Sequence, residues 1–587
     1  MRTLAITLTT IGVLSACATP PAPPTAGGEE AARAAQALVD EYLERTFEFL
    51  PSRATAEGLH DHDAQLEDFS PEALDRWIAW NHEAADRAAD ALASDELPAP
   101  DRLDLELLER RARREIFDHE VLWRQETDPL FWTGTIANAH VFLLVRDDRP
   151  LDERLRAAAA RARSLPRLAQ QAKEALGAAP DDGVAAEIAR IAEHQATASA
   201  TFYREGFAQA APGGELREEL AAAGAGAAEA LDGLAAFLET LAERATGDPR
   251  LGDLYAESFR TVTGIDRPVD EILEEAEAAL AAKRAEAAAY GRSVWVDLMG
   301  DEPAPSEDRE VLSRLLALAS GDGAASMDDF VTDFRTLVDG AISFVREKQV
   351  MTLPDPFPIR VDRSPAYFVG QAVGGVYPPG PFGSEEATFL FVPTPPATAT
   401  SEQLAAFFRD FNHHFNVMIT PHEIVPGHAT QLVLAARHPR KVRALFADGV
   451  YVEGWGTFCE RLMLDLGWGD PLARLAHLKK QMENIARTIV DIRVHTKGMT
   501  RDEVLTFARD EAFQDEQFAG NLWTRTITSS PQLTFYWLGY EQVMGLYEDV
   551  RAARGDAFRL SEFMDGMMEL GPVPVARYRE RMLTSSP

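Results

Sequence analysis

The chain has 587 residues, 46% of them hydrophobic, which is enough to bury one large core or two to three average domains. Its formal net charge of −36 argues against a nucleic-acid partner and against extended contact with anionic lipid headgroups. With only two cysteines, no disulfide framework is expected.

The first residues are typical of a bacterial lipoprotein signal. Arg2 is positively charged, residues 4–14 are an apolar or neutral run, and small residues precede Cys17. The run is shorter than the roughly 20 residues that a membrane-spanning helix needs. We therefore expect a signal peptide over residues 1–16, cleavage before Cys17 and lipidation of its sulfur. The alternative is an ordinary secretory signal or a cytoplasmic start.

Ala18, which follows the cysteine, is typical of lipoproteins sorted to the outer membrane. We expect a lipid-anchored protein of the cell envelope that faces the periplasm. No later stretch is expected to span a membrane, so membrane contact is expected through the N-terminal lipid alone. Cys459 then has no intrachain partner and is predicted to be a buried, small apolar residue.

Residues 17–29 are rich in Pro, Gly, Ala and Thr, a composition that cannot build a core, and they are predicted to be a flexible tether. We expect residues 30–587 to form a single large catalytic unit. Its predicted parts are a helical lobe over 30–349, a small sheet within 350–397 and a second helical lobe over 398–587.

The first of these parts reads as a series of amphipathic helices, because apolar residues recur at three- and four-residue steps between charged ones. The predicted helices are Ala31–Phe49, Pro71–Ala93, Asp101–Arg124, Leu151–Gly177, Ala185–Gln209, Glu215–Arg244, Asp270–Tyr290 and Met327–Glu347. No fixed period repeats, so a solenoid is not expected. The predicted fold class is mainly α.

The segment from 350 to 397 has the composition of strands and rigid loops. The predicted strands are Ile359–Val361, Ala366–Val369 and Thr388–Val392. Tyr377 opens a Pro-rich loop and is a candidate substrate-binding residue. A small sheet near the cleft of a helical protein offers an edge strand to an extended peptide. The alternative is a structural hairpin that caps the helices.

Helices are predicted again after the sheet, and the candidate metal-binding and catalytic residues lie in this last part. The predicted helices are Ser401–Phe415, Pro421–Arg437, Val450–Leu466, Pro471–Val494 and Thr500–Phe513, with more to Arg581. His422-Glu423 with His428 is the type of arrangement found in zinc peptidases. Two neutral imidazoles hold the metal, and the neighbouring glutamate takes a proton from the water that attacks.

The spacing of the two histidines is unusual. The common motif has them four residues apart, on one face of a helix. Here they are six apart, which on an ideal helix puts them about 120° and about 9 Å apart, too far to share one ion. Pro426-Gly427 lies between them, and a helix break there can bring His428 back toward His422.

A third metal ligand is predicted at Glu453, which follows His428 after 24 intervening residues, the right length for a second helix to return. Glu460 is seven residues further on and lies on nearly the same helix face, where it can hold a ligand imidazole. The alternative for Glu460 is a solvated or ion-paired residue. A His/His/Glu set suits zinc best, and one Zn²⁺ per chain is expected.

These motifs resemble a bacterial family known as domain of unknown function 885. The matching residues are His422, Glu423, Pro426, Gly427, His428, Gln431, Glu453, Gly454 and Trp455, followed by 491–495, 498–500, Arg525 and 532–539. Thr526, Ser530-Pro531 and Ala429 depart from the family pattern. The family is similar to helical zinc peptidases that include angiotensin-converting enzyme and the thermostable carboxypeptidases.

The resemblance implies a large helical zinc-peptidase-like fold and several supporting roles. Tyr536 and His495 are expected donors to the oxyanion at the scissile carbonyl, with packed core residues as the alternative. Arg525 is expected to bind a substrate carboxylate, or else to form an internal ion pair. Asp491 is expected to orient His495, and Gln431 to support the metal site.

The function predicted from these observations is zinc-dependent hydrolysis of small peptides. Two alternatives stay open. One is an envelope lipoprotein that binds a metal without catalysis, and the other is a metal amidase acting on cell-wall peptides. The oligomeric state, monomer or homodimer, also stays open.

Overall fold

The computed structural model describes residues 26–365, 374–383, 387–395, 399–514 and 516–584. The predicted signal peptide, Cys17 and the predicted strand 366–369 lie outside these ranges. The chain is 74% helical with one small sheet, which confirms the mainly α fold class.

The first 350 residues fold into helices that follow the predicted periodicity closely. They are α1 (Ala26–Phe49), α2 (Pro51–Ala56), α3 (Pro71–Leu92), α4 (Ala99–Ile116), α5 (Arg124–Thr127), α6 (Pro129–Asn138), α7 (Val141–Val145), α8 (Leu151–Ala178), α9 (Ala186–Thr201), α10 (Gly214–Arg244), α11 (Tyr255–Thr263), α12 (Val269–Ser293), α13 (Trp295–Met299), α14 (Asp308–Ala319) and α15 (Met327–Glu347). Short π-helical turns at Phe117–Val121 and Phe202–Gly206 follow α4 and α9, and 3-10 turns occupy Phe207–Ala210 and Gly252–Leu254.

Among the first 350 residues, three helix boundaries differ from the prediction by five residues or more: the start of α1 and the ends of α4 and α9. The α9 helix ends at Thr201 rather than Gln209. The α1 helix begins at Ala26, so the last four residues of the predicted tether are helical, and Gly28 is buried. Composition alone placed these residues in the tether. Alanine is a strong helix former, so the helix can begin at Ala26. The α4 helix ends at Ile116 rather than Arg124, since the chain leaves the helix through a π turn and Trp123 has a left-handed backbone conformation with φ of 50°.

The sheet has three strands, β1 (Ile359–Arg363), β2 (Gly375–Tyr377) and β3 (Thr388–Val392), in the order β1-β3-β2. β1 is parallel to β3, with Ile359 opposite Thr388, and β2 is antiparallel to β3. Tyr377 ends β2 instead of opening a loop. Because β3 is the central strand, its side chains are mostly buried and β1 and β2 form the edges.

The C-terminal part contains α16 (Ser401–Asp410), α17 (His413–Glu423), α18 (His428–Arg437), α19 (Lys441–Leu445), α20 (Gly449–Asp465), α21 (Pro471–Lys497), α22 (Arg501–Ala512), α23 (Glu516–Ser529), α24 (Phe535–Arg554), α25 (Leu560–Gly566) and α26 (Val575–Thr584), with 3-10 turns at Gln532–Thr534 and Gly555–Ala557. Two helices predicted as continuous are divided. The first is interrupted because Asn412 caps a new helix by accepting a hydrogen bond from the Phe415 N–H. The second breaks between Glu423 and His428, at the Pro426-Gly427 pair, as the sequence predicted for these two residues.

Apolar cores connect distant parts of the chain. One cluster joins α1, α3, α4 and α15 to the sheet, α18–α20 and α24–α26, and Cys459 is fully buried in it, as predicted. A second lies among α6–α10. A third joins α11, α12 and α14 to α21 and α24. Side chains from either side of residue 349 therefore share cores.

Within the described residues, α10 is the helix long and apolar enough to match a membrane span by length and composition, with a mean hydropathy of 1.2. This differs from the expectation that no such stretch exists. Nearly half of that window, 44%, is buried inside the protein, where α10 packs against α8 and α9.

Candidate metal centre

The break between α17 and α18 brings the two histidines together. The backbone leaves the helix at Ile424, with φ of −115° and ψ of −82°. Gly427 then crosses so close to the end of α17 that a Cβ there would collide with the carbonyl oxygens of Pro421 and His422. As a result the rings of His422 and His428 lie 4.6 Å apart, centroid to centroid.

The predicted ligands meet at one point. The Nε2 atoms of His422 and His428 each lie 3.7 Å from Glu453 Oε2, and the three candidate ligand atoms are all within 4.8 Å of one another. Ligands of a tetrahedral zinc, at about 2.0–2.1 Å from the ion, are about 3.3 Å from each other. The donor set and its spacing therefore fit a zinc ion.

Glu460 holds the first histidine in the orientation that a metal needs. Its Oε1 lies 2.8 Å from His422 Nδ1, and its Oε2 lies 2.9 Å from His477 Nδ1. Glu460 is completely buried. A carboxylate at this position accepts the Nδ1 proton, which leaves the His422 Nε2 lone pair for the metal.

The candidate ligands shift the pKa values of one another. Burial lowers the pKa of His422, but Glu453 and Glu460 outweigh this and raise it to about 10. Burial raises the pKa of Glu453, and the two histidines lower it well below its usual range. Among the residues that the structure describes, His428 Nδ1 is buried without a hydrogen-bond partner. A divalent ion would take the place of the proton on His422.

The α20 helix is positioned by contacts with the helix break. Gly456 lies under the His422 ring, where a Cβ would approach ring atoms to 2.8 Å. The indole N–H of Trp455 donates to the Pro426 carbonyl at 2.9 Å. Gly454 contacts Gly539 of α24.

Glu423 is half-buried and faces a cavity of about 660 Å³. The cavity is formed by β2, β3, α16, α17 and α23, and much of its wall is apolar. Its large apolar residues are Phe391, Phe407, Phe411, Phe415, Ile419 and Phe518. Lys480 is the cation among its lining residues. The carboxylate next to the first ligand thus faces a space large enough for part of a peptide.

Tyr536 lies in a polar group with Arg525 and Gln532. Its hydroxyl oxygen accepts hydrogen bonds from Arg525 at 3.2 Å and from the Gln532 amide at 3.1 Å. The guanidinium of Arg487 lies 4.8 Å over its ring, and Arg487 interacts electrostatically with Glu453. Because the oxygen accepts twice, the hydroxyl proton remains for donation to another group.

His495 and Asp491 do not form the expected pair. His495 accepts from the Leu251 N–H at 3.0 Å and donates to the Thr526 carbonyl at 3.0 Å, so both ring nitrogens bond to the backbone. It lines a different cavity from Glu423, of about 350 Å³. Asp491 Oδ2 accepts from Tyr255 and Ser530 rather than from His495. The prediction of His495 as an oxyanion donor is therefore wrong.

The remaining predicted residues have simpler surroundings. Tyr377 is half-buried and packs against Phe391 and Phe142, with ring centroids 5.6 and 6.2 Å away. It is outside the residues that line the Glu423 cavity. Gln431 is buried one turn after His428, close to the Tyr451 hydroxyl.

Sequence reasoning missed three polar residues near the centre: His477, Lys480 and Arg487. All three lie on α21, which was predicted only as a helix. Their signal was present in the spacing, because positions 477, 480, 484 and 487 recur at three- and four-residue steps and place polar groups on one helix face.

The fold and the site together define a mainly α-helical protein with a His/His/Glu candidate metal centre beside a cavity. The chain belongs to the family described as "Bacterial protein of unknown function (DUF885)", whose profile matches residues 51–582. A search of curated proteins finds no match.

Two solved structures show the same fold. A predicted lipoprotein of unknown function from Shewanella oneidensis has 24% identity and a TM-score of 0.76, with 93% of this chain and 99% of that chain covered. A predicted lipoprotein from Colwellia psychrerythraea has 17% identity and a TM-score of 0.77, with 94% of this chain and 100% of that chain covered.

Proposed function

We propose that this chain is a zinc-dependent peptidase that hydrolyses small peptides in the bacterial cell envelope. The observation that carries the proposal is the meeting of His422, His428 and Glu453 at one point, with Glu423 beside them facing the cavity. A binding scaffold needs the three ligands but has no use for a carboxylate in the position of a general base.

His422, His428 and Glu453 would hold the zinc, and Glu460 keeps His422 in the required tautomer. When bound, zinc acts as a Lewis acid that makes water a better nucleophile and polarises a carbonyl. Glu423 takes the proton from the attacking water and passes it to the leaving amine. The peptide bond breaks, its carbonyl side becomes a carboxylate and its nitrogen side becomes an amine.

Tyr536 is the proposed donor to the oxyanion. Its oxygen already accepts from Arg525 and Gln532, which orients the hydroxyl and leaves its proton for the substrate. Donors placed in advance toward the developing charge are commonly the largest single contribution to catalysis. The apolar wall of the cavity is proposed to hold a substrate side chain, and β2 at its edge to align the main chain.

The proposed location is the cell envelope, where the protein would be lipidated at Cys17. Within the envelope, the proposed position is the periplasmic side of the outer membrane. Two structures with this fold are described as predicted lipoproteins, which supports the proposal. The proposed partner is a peptide substrate; the acidic charge of the chain disfavours nucleic acid.

The test is hydrolysis of a mixed peptide library by zinc-loaded protein lacking residues 1–17, followed by mass spectrometry. We expect cleavage by the wild type and a loss of at least about 1000-fold in the Glu423→Gln variant, because the general base is removed while the ligands remain. Asp465→Asn, at the exposed end of α20, is the matched control and keeps wild-type activity.

The outcome also separates the alternatives. Cleavage confined to cell-wall peptides would favour the metal amidase. Zinc binding without cleavage of either substrate type would favour a binding lipoprotein and contradict the proposed peptidase.

A further inference from the structure

One face of α17 carries a row of apolar side chains that ends at the proposed general base. Phe415, Ile419 and Glu423 follow one another at four-residue steps, and all three line the same cavity. Residues four apart on a helix lie on nearly the same face, about 6 Å from one another along the axis. Ile419 is therefore one turn from Glu423, and Phe415 is two turns away. The apolar side of the cavity thus begins directly beside the carboxylate.

Phenylalanine rings from neighbouring elements extend this row into a larger surface. Phe411, just after α16, is the common neighbour of the group. Its ring centroid lies 4.8 Å from the ring of Phe407 and 5.5 Å from that of Phe415. The ring of Phe518, on α23, lies 6.2 Å away. These separations are typical of attractive aromatic pairs, and we call the four rings the aromatic wall.

The aromatic wall is attached to the core on one side and open to the cavity on the other. Phe330 is fully buried, and its ring lies 5.4 Å from Phe407 and 6.2 Å from Phe411. Phe407, Phe411 and Phe415 are partly exposed, and Phe518 is 36% exposed. Open aromatic surface inside a cavity is typical of a binding site. Because the core holds the rings in place, ordering them costs little when a ligand binds.

The cavity is poorly suited to a charged side chain at this wall. Among the described residues that line it, Glu423 and Lys480 carry the charges, and Lys480 already faces Glu483 at 3.8 Å. A charged group against the rings would lose its water without a matched partner. A large apolar group would cover the rings and remove their surface from water. The cavity, of about 660 Å³, has the size of an ordinary ligand pocket.

We propose that the aromatic wall binds an aromatic side chain of the substrate, at a residue that flanks the scissile bond. This inference rests on the proposed peptidase function and names its substrate class, peptides with phenylalanine or a residue of similar size at that position. A side chain that extends along α17 from a peptide bond held at Glu423 contacts Ile419 first, and it reaches Phe415 only if it is large. A methyl group stops short of the rings, so the wall distinguishes side chains by size.

The test compares five versions of one six-residue peptide, in which a single inner position is Phe, Leu, Ala, Glu or Lys and the other positions are alanine. We expect zinc-loaded wild-type protein to have a kcat/KM about 100-fold higher for the Phe peptide than for the Ala peptide, with the Leu peptide between them. The reason is that the larger side chain buries more apolar area. Mass spectrometry should place the cut at a bond next to the varied residue. The Glu and Lys peptides should be cleaved no faster than the Ala peptide.

Variants of the wall connect this preference to its residues. Phe415→Ala and Phe518→Ala should each reduce the Phe-to-Ala ratio of kcat/KM to below about 10, because an aromatic contact with the substrate is lost. Phe237→Ala is the matched control, since it removes a half-buried ring from α10, outside the residues that line the cavity, and it should keep the ratio. Zinc content and thermal unfolding show whether each variant is folded.

A binding measurement removes the dependence on turnover. The zinc-loaded Glu423→Gln protein should bind the labelled Phe peptide at least about tenfold more tightly than the Ala peptide in a fluorescence anisotropy titration. Equal cleavage and binding of these two peptides would overturn the aromatic site while the peptidase stands. Faster cleavage of the Glu or Lys peptide would show that a charge selects the substrate, which also contradicts the proposal. Cleavage of no peptide would reject the peptidase, and the binding ratio would then still decide the aromatic site.

Discussion

Glu460 is the residue on which the orientation of the metal ligands depends most. It is fully buried and divides its two oxygens between His422 and His477, at 2.8 and 2.9 Å. The histidines hold its pKa below the usual range although burial alone would raise it. It therefore stays a carboxylate in the folded protein, and His422 keeps its Nε2 free for a metal.

The Glu460→Gln substitution should weaken zinc binding by about 10- to 100-fold, because an amide is a weaker acceptor for the His422 Nδ1 proton. Competition with a chelator of known affinity measures this. Asp465→Asn on the same helix is the control, and thermal unfolding shows whether the variant is folded. An unchanged zinc affinity in a folded Glu460→Gln protein would remove the role given to this residue.

The buried carboxyl group of Asp491 makes the free energy of unfolding depend on pH. Burial raises its pKa to about 7, although hydrogen bonds from Tyr255 and Ser530 act in the opposite direction. Between about pH 4 and pH 7 the folded state holds a proton that the unfolded state has lost, so the free energy of unfolding falls as pH rises.

The Asp491→Asn substitution should remove this fall in the free energy of unfolding. Each unit of pKa shift corresponds to about 1.4 kcal/mol. When the pH is raised from 4 to 8, the free energy of unfolding should therefore fall by a few kcal/mol more in the wild type than in the variant. Urea unfolding at both pH values measures it, with the exposed Asp253→Asn as control. A wild-type slope that persists in Asp491→Asn would show that another group titrates.

For individual residues, the sequence predicted the metal ligands better than the hydrogen-bond partners of the side chains near them. His422, His428, Glu453 and Glu460 followed from motif and helix spacing, and the structure brings them together. The pairing of Asp491 with His495 failed, because i,i+4 neighbours on a helix meet only if neither has a stronger partner from another element. Here Tyr255 and the Leu251 N–H come from residues more than 200 positions away.

The break between α17 and α18 is the element that makes the centre possible. On a continuous helix His428 would face away from His422. The chain instead turns within Ile424–Gly427, and Trp455 of α20 holds the turn through its hydrogen bond to Pro426. The close crossing of Gly427 over the α17 carbonyls leaves no room for a side chain.

Gly427→Ala should destabilise the protein by about 2 kcal/mol or more and abolish high-affinity zinc binding, because the added methyl group must push α18 away from α17. Gly226→Ala is the control, since its position in α10 has open space around it and alanine is a better helix former there. Chemical denaturation and zinc titration measure both variants. Wild-type stability and zinc affinity in Gly427→Ala would contradict this account of the break.

Periodicity predicted most long helices to within a few residues, as for Met327–Glu347. It did not show the interruption at Asn412, because apolar spacing continues across it, whereas the break before His428 was predicted from the Pro426-Gly427 pair and is present. Caps and tertiary contacts decide such breaks. Hydrophobic pattern also did not show which strand lies in the centre of the sheet, which depends on the pairing partners.

Over the whole molecule, one apolar core joins the N-terminal helices α1, α3 and α4 to α18–α20 of the metal centre. The sequence predicted two helical lobes with a sheet between them, a division based on changes in composition. Composition does not show which distant segments pack together. The sequence therefore could not predict that the two helical lobes share one apolar core. The metal-site helices are thereby fixed by residues from most of the chain, which suits a site that needs exact ligand positions.

The central claim is that His422, His428 and Glu453 hold one zinc ion. The most direct measurement is metal content by inductively coupled plasma mass spectrometry after zinc loading and desalting, in the wild type and in the His428→Ala and Glu423→Gln variants. We expect about one zinc per chain in the wild type and in Glu423→Gln, and about none in His428→Ala, because only the last loses a ligand. No zinc in the folded wild type, or equal zinc in His428→Ala, would contradict the claim.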